Sequence, residues 1–147
     1  MVNRSDIENF WTRGDVHSRV QQAMSDAGLN NKKLEVEDLF PIDQYHARGI
    51  AATVDLGKRM PISENQRIID IGCGLGGPAR YFAKQFKCFI TGIDITPSFI
   101  EIGNKFNNLT SMSKQVSLQI GNGETLDFED ETFDGGYSQH VTMNIKN

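Results

Sequence analysis

An α/β fold with a doubly wound parallel sheet is the fold class this sequence predicts, and three observations carry it. The mostly apolar run from Ile68 to Ile71 reads as a buried strand. A glycine-rich turn, Gly72 to Gly77, follows it, and Pro78 then opens an amphipathic helix. From Asn65 onward strand and helix patterns alternate, which implies right-handed crossovers and parallel pairing. Ligands of such sheets bind at the carboxyl ends of the strands, beside the point where the strand order reverses. The chain divides near Pro61 into an N-terminal helical cap or lid, residues 1–60, and an α/β part, residues 61–147.

The cap opens with a helix from Ser5 or Asp6 carrying Ile7, Phe10, Trp11, Val16, Val20 and Met24, and Gly14 is where it can break in two. Asp26-Ala-Gly28 ends it, and Asn30-Asn31 begins a loop. Asp38-Leu-Phe-Pro41 reads as a second loop, after which Tyr45 to Met60 reads as a helix with Ile50, Val54 and Leu56 toward the core. In the α/β part the first strand is Arg67–Ile71, and its helix runs from Pro78 to about Lys87. Cys88–Asp94 is the second strand, and Thr96 caps a helix whose first residue is Pro97. Val116–Ile120 is a short alternating third strand, and Phe133–Val141 contains a fourth, interrupted early by Gly135-Gly136. These are the first four strands of a Rossmann-like sheet.

Composition narrows the function. The 147 residues suffice for one core, and 23% charged with 38% hydrophobic residues is ordinary for a globular protein. A net charge of −4 argues against a nucleic-acid backbone or an anionic membrane surface as the main partner. Cys73 and Cys88 have neither zinc spacing nor the count of a disulfide framework, and read as reduced structural thiols. Met1 is followed by Val-Asn-Arg-Ser-Asp, with no apolar signal core, so a cytoplasmic location is expected. No metal-ligand constellation, Ser/His/Asp arrangement or P-loop lysine is present in the sequence.

Gly72, Gly74 and Gly77 satisfy the dinucleotide pattern G-x-G-x-x-G, so the glycines alone leave the cofactor open, with turn amides near Cys73 free to approach it. Asp70, two positions before the first glycine, discriminates. A carboxylate there repels a pyrophosphate, whereas S-adenosylmethionine carries a positive sulfonium and amino group that an acid suits, directly or through a water. The sequence Asp-Ile-Gly-Cys-Gly-Leu-Gly from Asp70 resembles the first motif of the class I S-adenosylmethionine-dependent methyltransferases.

Asp94 ends the second strand, where a carboxylate can accept hydrogen bonds from both hydroxyls of a ribose; the alternative is a helix-capping acid, for which Thr96 is better suited. Ile95 can lie against an adenine face. Gly121-Asn-Gly-Glu124 resembles the Gly-Asp-Ala-Glu segment of methyltransferases of the ubiquinone-biosynthesis type (type 11-like), with Asn122 for the first acid and Asp127 where those carry proline. That resemblance gives Asn122 the adenine amino group and Gly123 the N–H to a ring nitrogen, with Glu124 beside them; Gly-Asn-Gly is also an ordinary turn. Phe133-Asp134 through Val141 resembles the family's Phe-Asp-x-x-x-Ser-x-x-Val strand, with Ser138 and Val141 in register. By position Gln139 then contacts the cofactor and His140 points to the acceptor pocket. The continuation to Asn144 is similar to that of sarcosine and dimethylglycine N-methyltransferases.

In the cap, Pro41-Ile-Asp-Gln-Tyr-His46 concentrates polar residues at a loop-to-helix junction. In similar enzymes this segment folds over the cofactor. Tyr45 and His46 are therefore lid candidates and Gln44 a partner for the methionyl end; the alternative is plain capping by Asp43 with exposed side chains. His17 reads as a surface residue. The resemblance implies methyl transfer to a small amine, phenol or quinol by in-line displacement, leaving S-adenosylhomocysteine, with His140 first and His46 second as base. The fifth strand and antiparallel pair usual in the family do not follow Asn147. The chain is thus expected to be the cofactor half, a fragment whose uncovered fourth-strand edge invites self-association. A non-catalytic S-adenosylmethionine-binding module and a nicotinamide-dependent oxidoreductase are the competing readings.

Overall fold

The computed structural model describes residues 15–30 and 33–144. Helix α1 is Val16–Asp26, and a 3-10 turn, Val36–Leu39, leads into the one-turn helix α2, Phe40–Asp43. Then come α3 (Ile50–Gly57), β1 (Arg67–Ile71), α4 (Gly77–Phe86), β2 (Phe89–Asp94), α5 (Pro97–Leu109), β3 (Val116–Ile120) and β4 (Gly135–Tyr137), with a last 3-10 turn at Thr142–Asn144. The strands form one parallel sheet in the order β3-β2-β1-β4, with Ile69 opposite Thr91 on one side and Gly136 on the other. Strand order reverses between β1 and β4, so the carboxyl ends of those two strands and β2 frame the crevice where such folds bind ligands.

Burial explains the strands. Central β1 hides Ile68, Ile69 and Asp70 in succession, as a strand covered on both faces must. Edge strand β3 alternates instead, turning Val116 and Leu118 inward and Ser117 and Gln119 outward. Two apolar cores result. One gathers Phe82, Ala83, Ile90, Val116 and Tyr137 with Cys73 and Cys88, both free thiols. The other gathers Val16, Met24, Leu39, Leu75, Phe99 and Phe106. Among the described residues no helix is long and apolar enough to cross a membrane.

Several boundaries differ from expectation. The part of the first helix expected before Asp15, with Ile7, Phe10 and Trp11, lies outside the described residues, as does Asn31. Asp38–Pro41 is helical, not a loop: the Asp38 carboxylate accepts the Glu35 N–H at 2.9 Å, and Pro41 sits in the first turn of α2, where its missing N–H is not needed. The helix expected from Tyr45 starts only at Ile50, because Arg48 and Gly49 both adopt positive φ. Its buried positions are Thr53 and Gly57; of the three expected, Leu56 is partly buried against the core, while Ile50 and Val54 are not part of it. The fourth strand is Gly135–Tyr137 alone, so the two glycines form it instead of interrupting it. No helix separates β3 from β4.

Gly77 is required for a reason its place in the glycine pattern does not suggest. A Cβ there would lie 2.4 Å from the Asp43 carbonyl oxygen and 2.6 Å from the Gln44 amide nitrogen, so only glycine lets the cap seat on the start of α4. Gly77→Ala is expected to destabilise the chain by about 1–3 kcal/mol, read by denaturant unfolding.

Candidate cofactor and acceptor site

The glycine turn is held from below by β2. The Ile93 carbonyl accepts the N–H groups of Gly72 and Cys73 at 2.8 and 2.9 Å, and the Asp94 carboxylate accepts Gly74 N–H at 3.0 Å. The turn amides expected to face a ligand are therefore engaged within the protein. The other Asp94 oxygen accepts Thr96 N–H at 2.9 Å, while the Thr96 side chain makes no bond to the helix it caps. Thr96 is the N-cap residue as expected, and Asp94 bonds its N–H and that of Gly74 rather than an N–H of the helix. Burial raises the Asp94 carboxyl above its ordinary value against the pull of these two amides.

Asp70 is buried, and the Tyr137 hydroxyl donates to it at 2.8 Å, tying β1 to β4. Burial pushes its carboxyl from 3.8 to about 7; the Tyr137 bond opposes this and the Asp94 charge adds to it. Cys73 is likewise buried, its thiol pushed up by desolvation. A Cβ on Gly72, where φ is +78°, would lie 2.2 Å from a Val141 methyl. The expected register partner of the fourth strand thus sits directly on the first glycine.

At the end of β3, Gly121 N–H donates to the Asp94 carbonyl at 3.0 Å, which sets the Asn122–Glu124 turn beside the end of β2. The Asn122 side-chain oxygen accepts Glu124 N–H at 2.9 Å, closing that turn on itself. Ile95 and Gly123 are half-buried nearby in sequence.

The cap contributes a buried polar chain. Arg80, on α4 between apolar neighbours, is fully buried and donates to Asp43 at 3.1 Å, to Asn107 at 2.7 Å and to the Leu75 carbonyl of the glycine turn. Burial raises the Asp43 carboxyl against the pull of Arg80. Gln44 donates to Asp43 at 3.2 Å and accepts the Thr53 hydroxyl at 2.7 Å. Its amide is thus committed inside the protein, not held out toward a methionyl group. Thr53 Oγ1 also lies 3.2 Å from His46 Nε2 and 3.4 Å from Gln139 Oε1. The His46 and His140 rings stack, 5.5 Å apart and 3° from parallel. With Tyr45, Ala47 and Met143 they line a cleft of about 420 Å³. Met143, rather than the expected Asn144, lines it.

The structure therefore brings Tyr45, His46, Gln139 and His140 together across the junction of cap and β4, and Asp70, Gly72, Cys73, Gly74 and Asp94 around one turn. The exposed-cap alternative fails for Asp43 and Gln44, which are buried. His17 is half-exposed, 3.3 Å from Glu101. Thr53 and Arg80 were not legible as site residues, although Arg80 as a charge amid Ala79, Phe82 and Ala83 is a signal that a buried partner exists.

Sheet order defines an α/β protein of the doubly wound class, whose ligands bind at the switch point. Residues 69–147 match the family described as "Methyltransferase domain", and the chain belongs to that family. It is similar to a sterol 24-C-methyltransferase of Debaryomyces hansenii, 34% identical over 88 residues that cover 60% of this chain and 23% of that protein. It is also similar to methyltransferase phqN of Penicillium fellutanum, 39% identical over 87 residues, 59% of this chain and 27% of that one. The chain thus spans about a quarter of the length of the curated relatives it matches. Among solved structures, an SAM-dependent methyltransferase from Thiobacillus denitrificans in complex with S-adenosyl-L-homocysteine superposes with a TM-score of 0.56. The identity is 22%, over 63% of this chain and 37% of that one.

Proposed function

We propose that this chain carries the S-adenosylmethionine-binding part of a methyltransferase acting on a small-molecule acceptor. The observation that carries the reading is Asp94. Its carboxylate is fixed by two backbone amides at the end of β2 and keeps lone pairs for further donors, which fits a ribose diol and not a phosphate. When bound, S-adenosylmethionine supplies an activated methyl group on a sulfonium and becomes S-adenosylhomocysteine. Asp94 would hold the ribose, Asn122 and Gly123 the adenine edge, Ile95 its face, and the acid of Asp70 would favour the cationic end. Gln139 and the Tyr45–His46 segment close the crevice toward the acceptor. Most of the rate then comes from proximity and orientation, which are worth roughly 7–11 kcal/mol in favourable cases. An acceptor that arrives protonated needs a base, and the His46–His140 pair lining the cleft supplies one. A cleft of about 420 Å³ suits a small amine, phenol or quinol.

Calorimetric titration of the chain with S-adenosylmethionine, with NAD(P)H alongside, tests this. Asp94→Ala is expected to weaken S-adenosylmethionine binding about 100-fold or more, since it removes charge-assisted bonds of about 1.5–3 kcal/mol each. A thermal melt controls for the loosened turn. Failure of the wild type to bind, or binding that Asp94→Ala leaves unchanged, sinks the reading; nicotinamide binding favours an oxidoreductase.

A further inference from the structure

We propose that Thr53 is a positioning residue whose single buried hydroxyl fixes the proton of neutral His46 on Nε2, leaving Nδ1 as the basic atom of the ring. The hydroxyl has one hydrogen and three neighbours: Gln44 Oε1 at 2.7 Å, His46 Nε2 at 3.2 Å and Gln139 Oε1 at 3.4 Å. Gln44 cannot turn its amide round, because its nitrogen donates to Asp43 Oδ1 and a flip would set two oxygens against each other. Asp43 in turn is held by the fully buried Arg80. The short contact to Gln44 therefore takes the hydroxyl hydrogen, for otherwise two oxygen lone pairs would face each other 2.7 Å apart in a buried site. What the hydroxyl presents to His46 is then a lone pair, and only an Nε2–H satisfies it.

This assigns the remaining ring atom. Nδ1 lies 3.3 Å from the Ala47 carbonyl, a contact that becomes a hydrogen bond when Nδ1 takes up a proton. Burial lowers the His46 pKa, the Ala47 carbonyl partly restores it, and His140 lowers it further. With its hydrogen on Gln44, the hydroxyl donates nothing to Gln139 Oε1, which lies 3.4 Å away. The kinetic consequence, though not the tautomer, rests on the function proposed above.

The test is the imidazole nitrogen spectrum of the ¹⁵N-labelled full chain at about pH 8. The wild type is expected to show the unprotonated-nitrogen shift at His46 Nδ1. Thr53→Val should move His46 toward the Nδ1–H form, which bonds Ala47, and Thr53→Ser should restore the wild-type pattern. An Nδ1–H tautomer in the wild type overturns the assignment, and that reading survives even if Thr53→Val does not fold. An unchanged His46 in a folded Thr53→Val also overturns it. In a methyl-transfer assay with a protonated acceptor, Thr53→Val should lower kcat about 10-fold with KM for S-adenosylmethionine unmoved. The tautomer is read with no substrate present, so a failure to methylate would overturn the proposed function and not this assignment.

Discussion

Asp43→Ala is expected to destabilise the chain by about 3–5 kcal/mol, because it leaves the Arg80 guanidinium charged and unpaired at a site with no solvent contact. In a chain of this size that lowers the melting temperature on the order of 10 °C or more. The loss differs in kind from removing a surface ion pair such as Lys84–Glu37, which is worth a few tenths of a kcal/mol. Arg80 keeps its bonds to Asn107 and to the Gly103 and Leu75 carbonyls, but these are neutral acceptors. Asp43→Asn should lose less, since an amide oxygen still accepts from Arg80. Replacing both partners, Asp43→Leu with Arg80→Met, should recover most of the loss if volume is matched, because no buried charge is then left behind. Denaturant unfolding of the four proteins checks this. A loss under about 1 kcal/mol for Asp43→Ala would show that Arg80 finds water or another partner. Since Asp43 also orients Gln44, and Gln44 orients Thr53, the same substitution should free the cap at the cleft.

That pair also marks the limit of what the sequence carried. β1 and β3 were legible to the residue because burial writes a local pattern: a continuous apolar run for a covered strand, strict alternation for an edge. The end of α4 followed from the same periodicity. Asp94 was legible as a strand-end acid, but its bonds to Gly74 and Thr96 depend on how two turns meet, which no window of residues contains. The glycine pattern misled in one respect. Gly77 completes a dinucleotide spacing, yet its missing side chain makes room for Asp43 and Gln44, more than thirty positions away. Tyr45 to Met60 reads as one helix because its apolar spacing continues through Arg48 and Gly49, whose positive φ is invisible to periodicity. Thr53 looks like any helical threonine; only the meeting of cap and β4 gives its hydroxyl three polar neighbours. Tyr45, His46, Gln139 and His140 were named through the resemblance to the methyltransferases, and the structure places them at the junction of cap and β4.

Asp70→Asn should stabilise the free chain above neutral pH by roughly 4 kcal/mol and leave it nearly unchanged in mild acid. The unfolded carboxyl releases its proton near 3.8, whereas the folded one holds it to about 7 because burial disfavours the charge. Between those values the folded chain binds one proton more than the unfolded chain, so this group's contribution falls as pH rises through the window and is constant above it. At about 1.4 kcal/mol per pH unit the full span amounts to roughly 4 kcal/mol. Asparagine has no proton to lose and its oxygen still accepts from Tyr137, so the two stability profiles should coincide near pH 4 and diverge up to about pH 7. Denaturant unfolding across that range checks it, and parallel profiles would refute it. The same charge balance bears on function. A cation bound near the carboxyl end of β1 would favour the ionised acid, so S-adenosylmethionine binding near pH 6 should release up to one proton from the wild type and none from Asp70→Asn. Calorimetry in buffers of different ionisation enthalpy reads that number directly. Burial of an acid at this position weakens the free fold at neutral pH, and a positively charged ligand bound beside it would offset that; the more stable asparagine protein is therefore expected to bind S-adenosylmethionine less tightly.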